Sequence, residues 1–113
     1  MPKITVHSKA NQYGIIYGKI DEYNWYALVQ DEKVSYAIDP KSLEKGWGKV
    51  SRLFIYKNIT EKNPAKQQIL RLVIADYSHK WNFLENQKKD LILKLVNYLE
   101  LRYSLKILSK KAK

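Results

Sequence analysis

The hydrophobic period changes once along this chain. Leu91, Ile92, Leu95, Val96, Leu99 and Tyr103 recur at three- and four-residue spacing, with Lys88, Lys89, Asp90, Lys94, Asn97 and Glu100 among them. That spacing gathers the apolar side chains on one side of an α-helix. Upstream of about Tyr77 the apolar residues instead alternate with a period of two, as half-buried strands do. Strands followed by a single helix predict an α+β domain: a mostly antiparallel sheet of five to six strands, with one C-terminal amphipathic helix packed on one face.

The alternation locates the strands. Lys3–Ser8 is a short first strand. In Tyr13–Ile20, the side chains of Tyr13, Ile15, Tyr17 and Lys19 point one way, and Gly14, Ile16, Gly18 and Ile20 the other. Asp21-Glu22-Tyr23-Asn24 has turn chemistry. Trp25–Gln30 follows with Trp25, Ala27 and Val29 on one face, then a second polar turn at Asp31-Glu32-Lys33, then the strand Val34–Ile38. Asp39-Pro40 closes that strand, since proline cannot donate to a ladder. Residues 40–49 read as a loop with one helical turn at Ser42–Lys45.

From Val50 onward, Ser51, Leu53 and Ile55 face one way, and Val50, Arg52, Phe54 and Tyr56 the other. Lys57–Lys66 reads as a polar connector, and Gln68–Asp76 as the last strand, with Leu70, Leu72 and Ile74 joining Leu53 and Ile55 beneath the helix. The helix is predicted to start near Asn86, a suitable N-cap. Past Tyr103 the pattern degrades, because Arg102 and Lys106 fall in the apolar stripe. The domain is therefore placed at residues 1–103, with residues 104–113 as a basic C-terminal tail that includes Lys110, Lys111 and Lys113.

A chain of 113 residues buries enough surface for one core without staples. It has no cysteine, which excludes disulfides and thiolate metal sites. No apolar run approaches the ~20 residues of a membrane span, and MPKITVHSKANQ lacks the apolar centre of a signal peptide. The expectation is a soluble, cytoplasmic protein. The net charge is +10, carried by 18 Lys and 3 Arg against 11 acidic residues. Residues with AT-rich codons number 48 and those with GC-rich codons 16. AT-rich coding accounts for the preference for Lys over Arg, but not for the excess of basic over acidic residues. That excess favours an acidic macromolecular partner, either a host protein or nucleoprotein complex, or nucleic acid.

No phosphate-binding glycine loop, HExxH or GxSxG motif occurs. Asp76-Tyr77-Ser78-His79 offers a carboxylate, a hydroxyl and an imidazole, but neighbours along a strand do not make a relay. Asp31/Glu32/Lys33 and Asp39/Glu44/Lys45 carry the letters of a metal-dependent nuclease while reading as solvated turns. No catalytic residue, metal or cofactor is called for. The aromatic content is more informative: nine Tyr and three Trp against two Phe. Tyrosine hydroxyls stay wet, so Tyr marks half-buried faces and interfaces. The strand phases place Tyr13, Tyr17, Lys19, Arg52, Phe54, Tyr56 and Arg71 opposite the helix. Aromatics among cations suit base stacking and phosphate pairing, and equally protein hot spots. Trp47, between Gly46 and Gly48, is read as a loop anchor if buried and as a ligand-stacking ring if exposed, and Gly48 as a source of backbone freedom at the start of a strand.

Two blocks resemble a known family. The first is Ser35-Tyr36-Ala37-Ile38 followed by Gly48-Lys49-Val50-Ser51-Arg52-Leu53-Phe54-Ile55, and the second is Ala75 to Phe83 ahead of the amphipathic helix. Over roughly residues 24–100 the chain is similar to a family of small phage and bacterial proteins, a domain of unknown function. Its members carry Ser-x-x-Gly-Ile, then Gly-Arg-Ile-Ser-Lys-Leu opening a strand, then a Tyr-Asp-Arg-Gly-Trp-Asp type of run. Tyr77 and Trp81 match that run, whereas Ser78-His79-Lys80 replaces its Asp-Arg-Gly, and the glycine of the first stretch is missing. The resemblance implies a small α+β domain and a mobile-element origin, and no activity.

The functional expectation is a small non-enzymatic binding protein of phage or mobile-element origin, acting on a host protein or nucleoprotein complex. Inhibition of host defence fits its size. The alternative is direct nucleic-acid binding through the basic, aromatic sheet face, and a small metal-dependent nuclease is the third reading.

Overall fold

The computed structural model describes residues 2–7, 15–63 and 66–111, with side chains for 2–7, 15–60 and 69–101. Six strands run in chain order through one antiparallel sheet: β1 (Ile4–Val6), β2 (Ile15–Ile20), β3 (Tyr23–Ile38), β4 (Lys45–Asn63), β5 (Lys66–Ser78) and β6 (Trp81–Leu84). A short 3₁₀ turn, Asn86–Lys88, leads into the helix α1 (Lys89–Lys111). The fold is α+β.

The period-two and period-3.6 patterns meet in a single core. Ile16, Ile20, Trp25, Ala27, Leu53 and Ile55 from the sheet are buried against Ile92, Leu95, Val96 and Leu99 of α1. Gly18 faces this core beneath Trp25, where a Cβ would lie 1.9 Å from the Thr5 carbonyl oxygen. Asp21 takes φ 52° in the two-residue β2–β3 turn, and its Oδ1 accepts a 2.8 Å hydrogen bond from the Lys3 amide.

Several sequence expectations are corrected by the pairing. Asp31-Glu32-Lys33 is not a turn between two strands but part of the long β3. Between the pairs Val29↔Val50 and Val34↔Gly48, four residues of β3 face only Lys49 of β4, so the polar residues bulge outward. The bulge removes ladder partners from β4, and α1 replaces them: the Glu100 carboxylate accepts from the amides of both Lys49 and Val50. Burial of those amides demands such acceptors. Ser51 is the extra residue of a second irregularity, between Leu28↔Arg52 and Val29↔Val50. Val50 consequently turns inward with Leu53 instead of outward with Arg52.

The expected loop 40–49 is shorter than predicted, since β4 begins at Lys45. Gly48 thus lies within a strand, and its role is close approach: an added Cβ would sit 2.4 Å from the Ile38 carbonyl oxygen and 3.1 Å from Glu100 Oε2. The expected connector 57–66 is instead the far end of a long hairpin, paired as far as Asn63↔Lys66. The hairpin projects past the β2–β3 turn, since beyond Tyr56 the only pairing partner of β4 among the described residues is β5. Leu70 and Leu72 lie on this arm at 47 % and 43 % exposure, so α1 does not cover them. Of the three β5 residues expected beneath the helix, Ile74, at a register shift opposite Ile55/Tyr56, reaches the core.

Strand β6 carries no clean alternation and was not foreseen. Glu85, not Asn86, caps the helical segment, its carboxylate accepting from the Gln87 amide. Helical backbone continues to Lys111, past the break expected at Tyr103, so Lys110 and Lys111 extend α1. Their side chains, and Lys113, lie outside the described residues.

Candidate functional site

With α1 on one face, no element among the described residues covers the opposite face of the sheet. Antiparallel register sets its side chains in rows. One row runs Tyr17↔Tyr26↔Phe54↔Asp76↔Phe83 across five strands. A second runs Lys19↔Asn24↔Tyr56↔Val73. A third places Leu28, Arg52 and Ser78 side by side. Tyr17 and Tyr26 are 52 % and 40 % exposed. Phe54 and Tyr56 are half-buried, and Lys19, Arg52 and Arg71 are exposed.

The rings touch one another. Tyr26 stacks on Phe54 with centroids 5.2 Å apart and planes 26° apart, and Phe54 meets Tyr56 at 5.4 Å. The Arg71 guanidinium lies over the Tyr56 ring, 4.3 Å from its centroid. His7 extends the patch from Tyr17 at 6.5 Å. The result is a strip of π-faces edged by cations, the arrangement that base stacking and phosphate pairing require.

The structure therefore brings together six of the sequence-predicted residues: Tyr17, Lys19, Arg52, Phe54, Tyr56 and Arg71. Tyr13 lies outside the described residues. Trp47 does not join them. It is 65 % exposed on β4, so it does not anchor a loop. Seven positions separate it from Phe54, roughly 20 Å of strand. Two members of the strip were missed. Tyr26 was legible, since inward Trp25 and Ala27 force it outward; Phe83, 46 % exposed on β6, carried no such signal.

Tyr77, Trp81 and Ser51 of the resemblance blocks have structural partners. The buried Tyr77 hydroxyl lies 2.8 Å from the carbonyl oxygens of both Tyr36 and Ala37, to which it donates. Burial raises its pKa above the usual 10.0 by desolvating the phenolate. Trp81 packs edge-on against Tyr77 at 5.0 Å and donates from Nε1 to the Leu43 carbonyl oxygen at 2.6 Å. Ser51 Oγ accepts from Gln30 Nε2 at 2.9 Å. His79 takes φ 63° in the β5–β6 turn, with its ring against Tyr36. Asp76 faces the open side while Tyr77 is in the core, so this run forms no relay. Asp39 caps its own turn through the Lys41 amide at 2.8 Å. Among the described residues no three His, Asp or Glu side chains converge on a metal position, and no helix is long and apolar enough to cross a membrane.

No protein-family model, curated protein or solved structure matches the chain.

Proposed function

We propose that this chain is a small non-enzymatic protein that binds single-stranded nucleic acid across its open sheet face, in a cytoplasmic setting and with the phage or mobile-element origin its sequence blocks imply. One observation carries the reading: Tyr26, Phe54 and Tyr56 form a continuous, partly exposed ring strip capped by the Arg71 guanidinium. A strand laid along it stacks its bases on the rings, and Lys19, Arg52 and Arg71 meet its phosphates. The net charge of +10 draws such a strand in. A strip that runs across several strands suits a polymer better than a small substrate.

The test is fluorescence anisotropy with a labelled single-stranded oligonucleotide. Tyr26→Ala or Tyr56→Ala should each weaken binding by about 1–3 kcal/mol, the worth of one base stack. Affinity should fall with salt at a log–log slope of about 0.7 per phosphate contacted, and Arg71→Gln should flatten it. The same measurement on a full chain with Lys110, Lys111 and Lys113 changed to Gln separates the strip from the helix end. Binding that survives the Tyr and Arg changes but vanishes with those lysines would sink the proposal.

A second reading keeps a host protein or nucleoprotein complex as the partner, with inhibition of host defence as the outcome. It is favoured by the hairpin arm, where Ile59, Leu70 and Leu72 stay exposed, as protein-docking surfaces do.

A further inference from the structure

One member of the ring-bearing row is not a ring. Asp76 stands directly opposite Phe54. With Tyr26, Arg52, Phe54 and Ser78 it borders a depression of about 230 Å³. Ordinary ligand pockets hold ~300–1,000 Å³, so this one suits a single flat ring system, not an extended cofactor. Arg52 and Asp76 occupy adjacent strands, yet among the described residues neither side chain has a hydrogen-bond or ion-pair partner. A guanidinium and a carboxylate beside an aromatic platform are thus both available to a bound ring.

We infer that this depression reads one base of the bound strand and that the base is guanine. The inference rests on the nucleic-acid reading above and names what that site selects. An ionised carboxylate only accepts hydrogen bonds. Guanine alone among the bases offers it two adjacent donors, N1–H and the 2-amino group, on its Watson–Crick edge. The neighbouring O6 is an acceptor, matched by Arg52 or by the Ser78 hydroxyl. Adenine sets the acceptor N1 beside its amine, cytosine sets N3 beside its amine, and uracil or thymine flanks its one N–H with two carbonyls. Each of these aims a lone pair at the carboxylate. The ring itself stacks at Tyr26 and Phe54, as unpaired bases do on aromatic side chains. Nothing in this contact depends on the sugar, so ribose and deoxyribose strands are read alike.

The experiment measures anisotropy of the full-length protein on labelled oligothymidine and oligouridine strands carrying one central guanine, adenine or hypoxanthine. Guanine should bind roughly tenfold or more tighter than adenine. Hypoxanthine, which lacks the 2-amino group, should fall between them. Asp76→Asn should bring guanine and adenine together, whereas Tyr26→Ala should weaken every strand. Equal binding of all three bases by the unaltered protein, with Tyr26 and Tyr56 still required, would overturn the guanine assignment and leave the strip standing. Failure to bind any strand would overturn both.

Discussion

The two faces of this sheet are built from the same strands and hold different chemistry. On the covered face Ile16, Ile20, Leu53 and Ile55 meet Ile92, Leu95 and Leu99, and all are at most 1 % exposed. On the open face the same alternation presents Tyr17, Tyr26, Phe54 and Tyr56 beside Lys19, Arg52 and Arg71. Aliphatic side chains gain only by leaving water. Tyr and Arg gain from a face that stays wet, because hydroxyl and guanidinium retain solvent while the ring or stem packs. The covered face specifies the fold, and the open face is free to be specified by a ligand. Substitutions on the two should therefore differ in what they damage.

The largest effect belongs to the covered face. Leu95→Ala truncates a fully buried side chain on the core-facing side of α1 and should cost about 2–5 kcal/mol, measured by urea unfolding. A cost below about 1 kcal/mol would mean that α1 is not what closes this face, and the contrast between faces would fail.

An intermediate effect is expected where the covered face meets the far end of β3. Tyr77→Phe strips the hydroxyl from the Tyr36 and Ala37 carbonyls and should cost about 1–3 kcal/mol. It also carries a pH signature. The folded-state pKa of Tyr77 is raised above 10.0 by desolvation. The neutral phenol is the form that the fold favours, so its stabilisation is complete below the unfolded value. It is lost as pH rises from there through the folded value. Melting temperature should drop above about pH 10, and less steeply in Tyr77→Phe. Parallel alkaline profiles for the two proteins would show that the hydroxyl is not held in its buried, donating position.

What was legible in the sequence follows the same division. Strict alternation identified Ile16, Ile20, Trp25, Ala27, Leu53 and Ile55 as inward, though not Val50, and by complement five residues of the open strip, with Arg71 following in the same way on β5. The helix phase was legible for Ile92, Leu95, Val96 and Leu99, since those positions answer only to burial. Elsewhere pairing overrode local preference. Asp31-Glu32-Lys33 has turn chemistry and does leave the ladder, yet β4 holds the residues on both sides of it. Leu70 and Leu72 alternate as core residues do, but they sit on the stretch of the β4–β5 hairpin beyond the last β3–β4 pair, where they stay exposed. Glu100 resembles any solvated helix residue, and only the bulged ladder shows why a carboxylate is needed there. Gly48 is a glycine for room against Ile38 and Glu100, a constraint set by residues 10 and 52 positions away.

The smallest stability effect, and the sharpest test of the contrast, is Tyr26→Ala. Its ring stacks on Phe54 at 5.2 Å but is 40 % exposed. It therefore contributes one cross-strand pair, about 0.2–1 kcal/mol, with no cavity left behind. Chemical unfolding should register that small loss and an unchanged dependence on denaturant concentration. Binding should register more: the same truncation deletes one stacking platform and one of the rings bordering the depression beside Asp76, so single-stranded affinity should fall by about 1–3 kcal/mol. The two measurements on one variant form a ratio that a purely structural tyrosine cannot produce. A stability loss as large as that of Leu95→Ala would mean that the open face is part of the core. A small stability loss with unchanged affinity would leave the face open but unused for nucleic acid, and would move the search for a partner to Ile59, Leu70 and Leu72 on the hairpin arm.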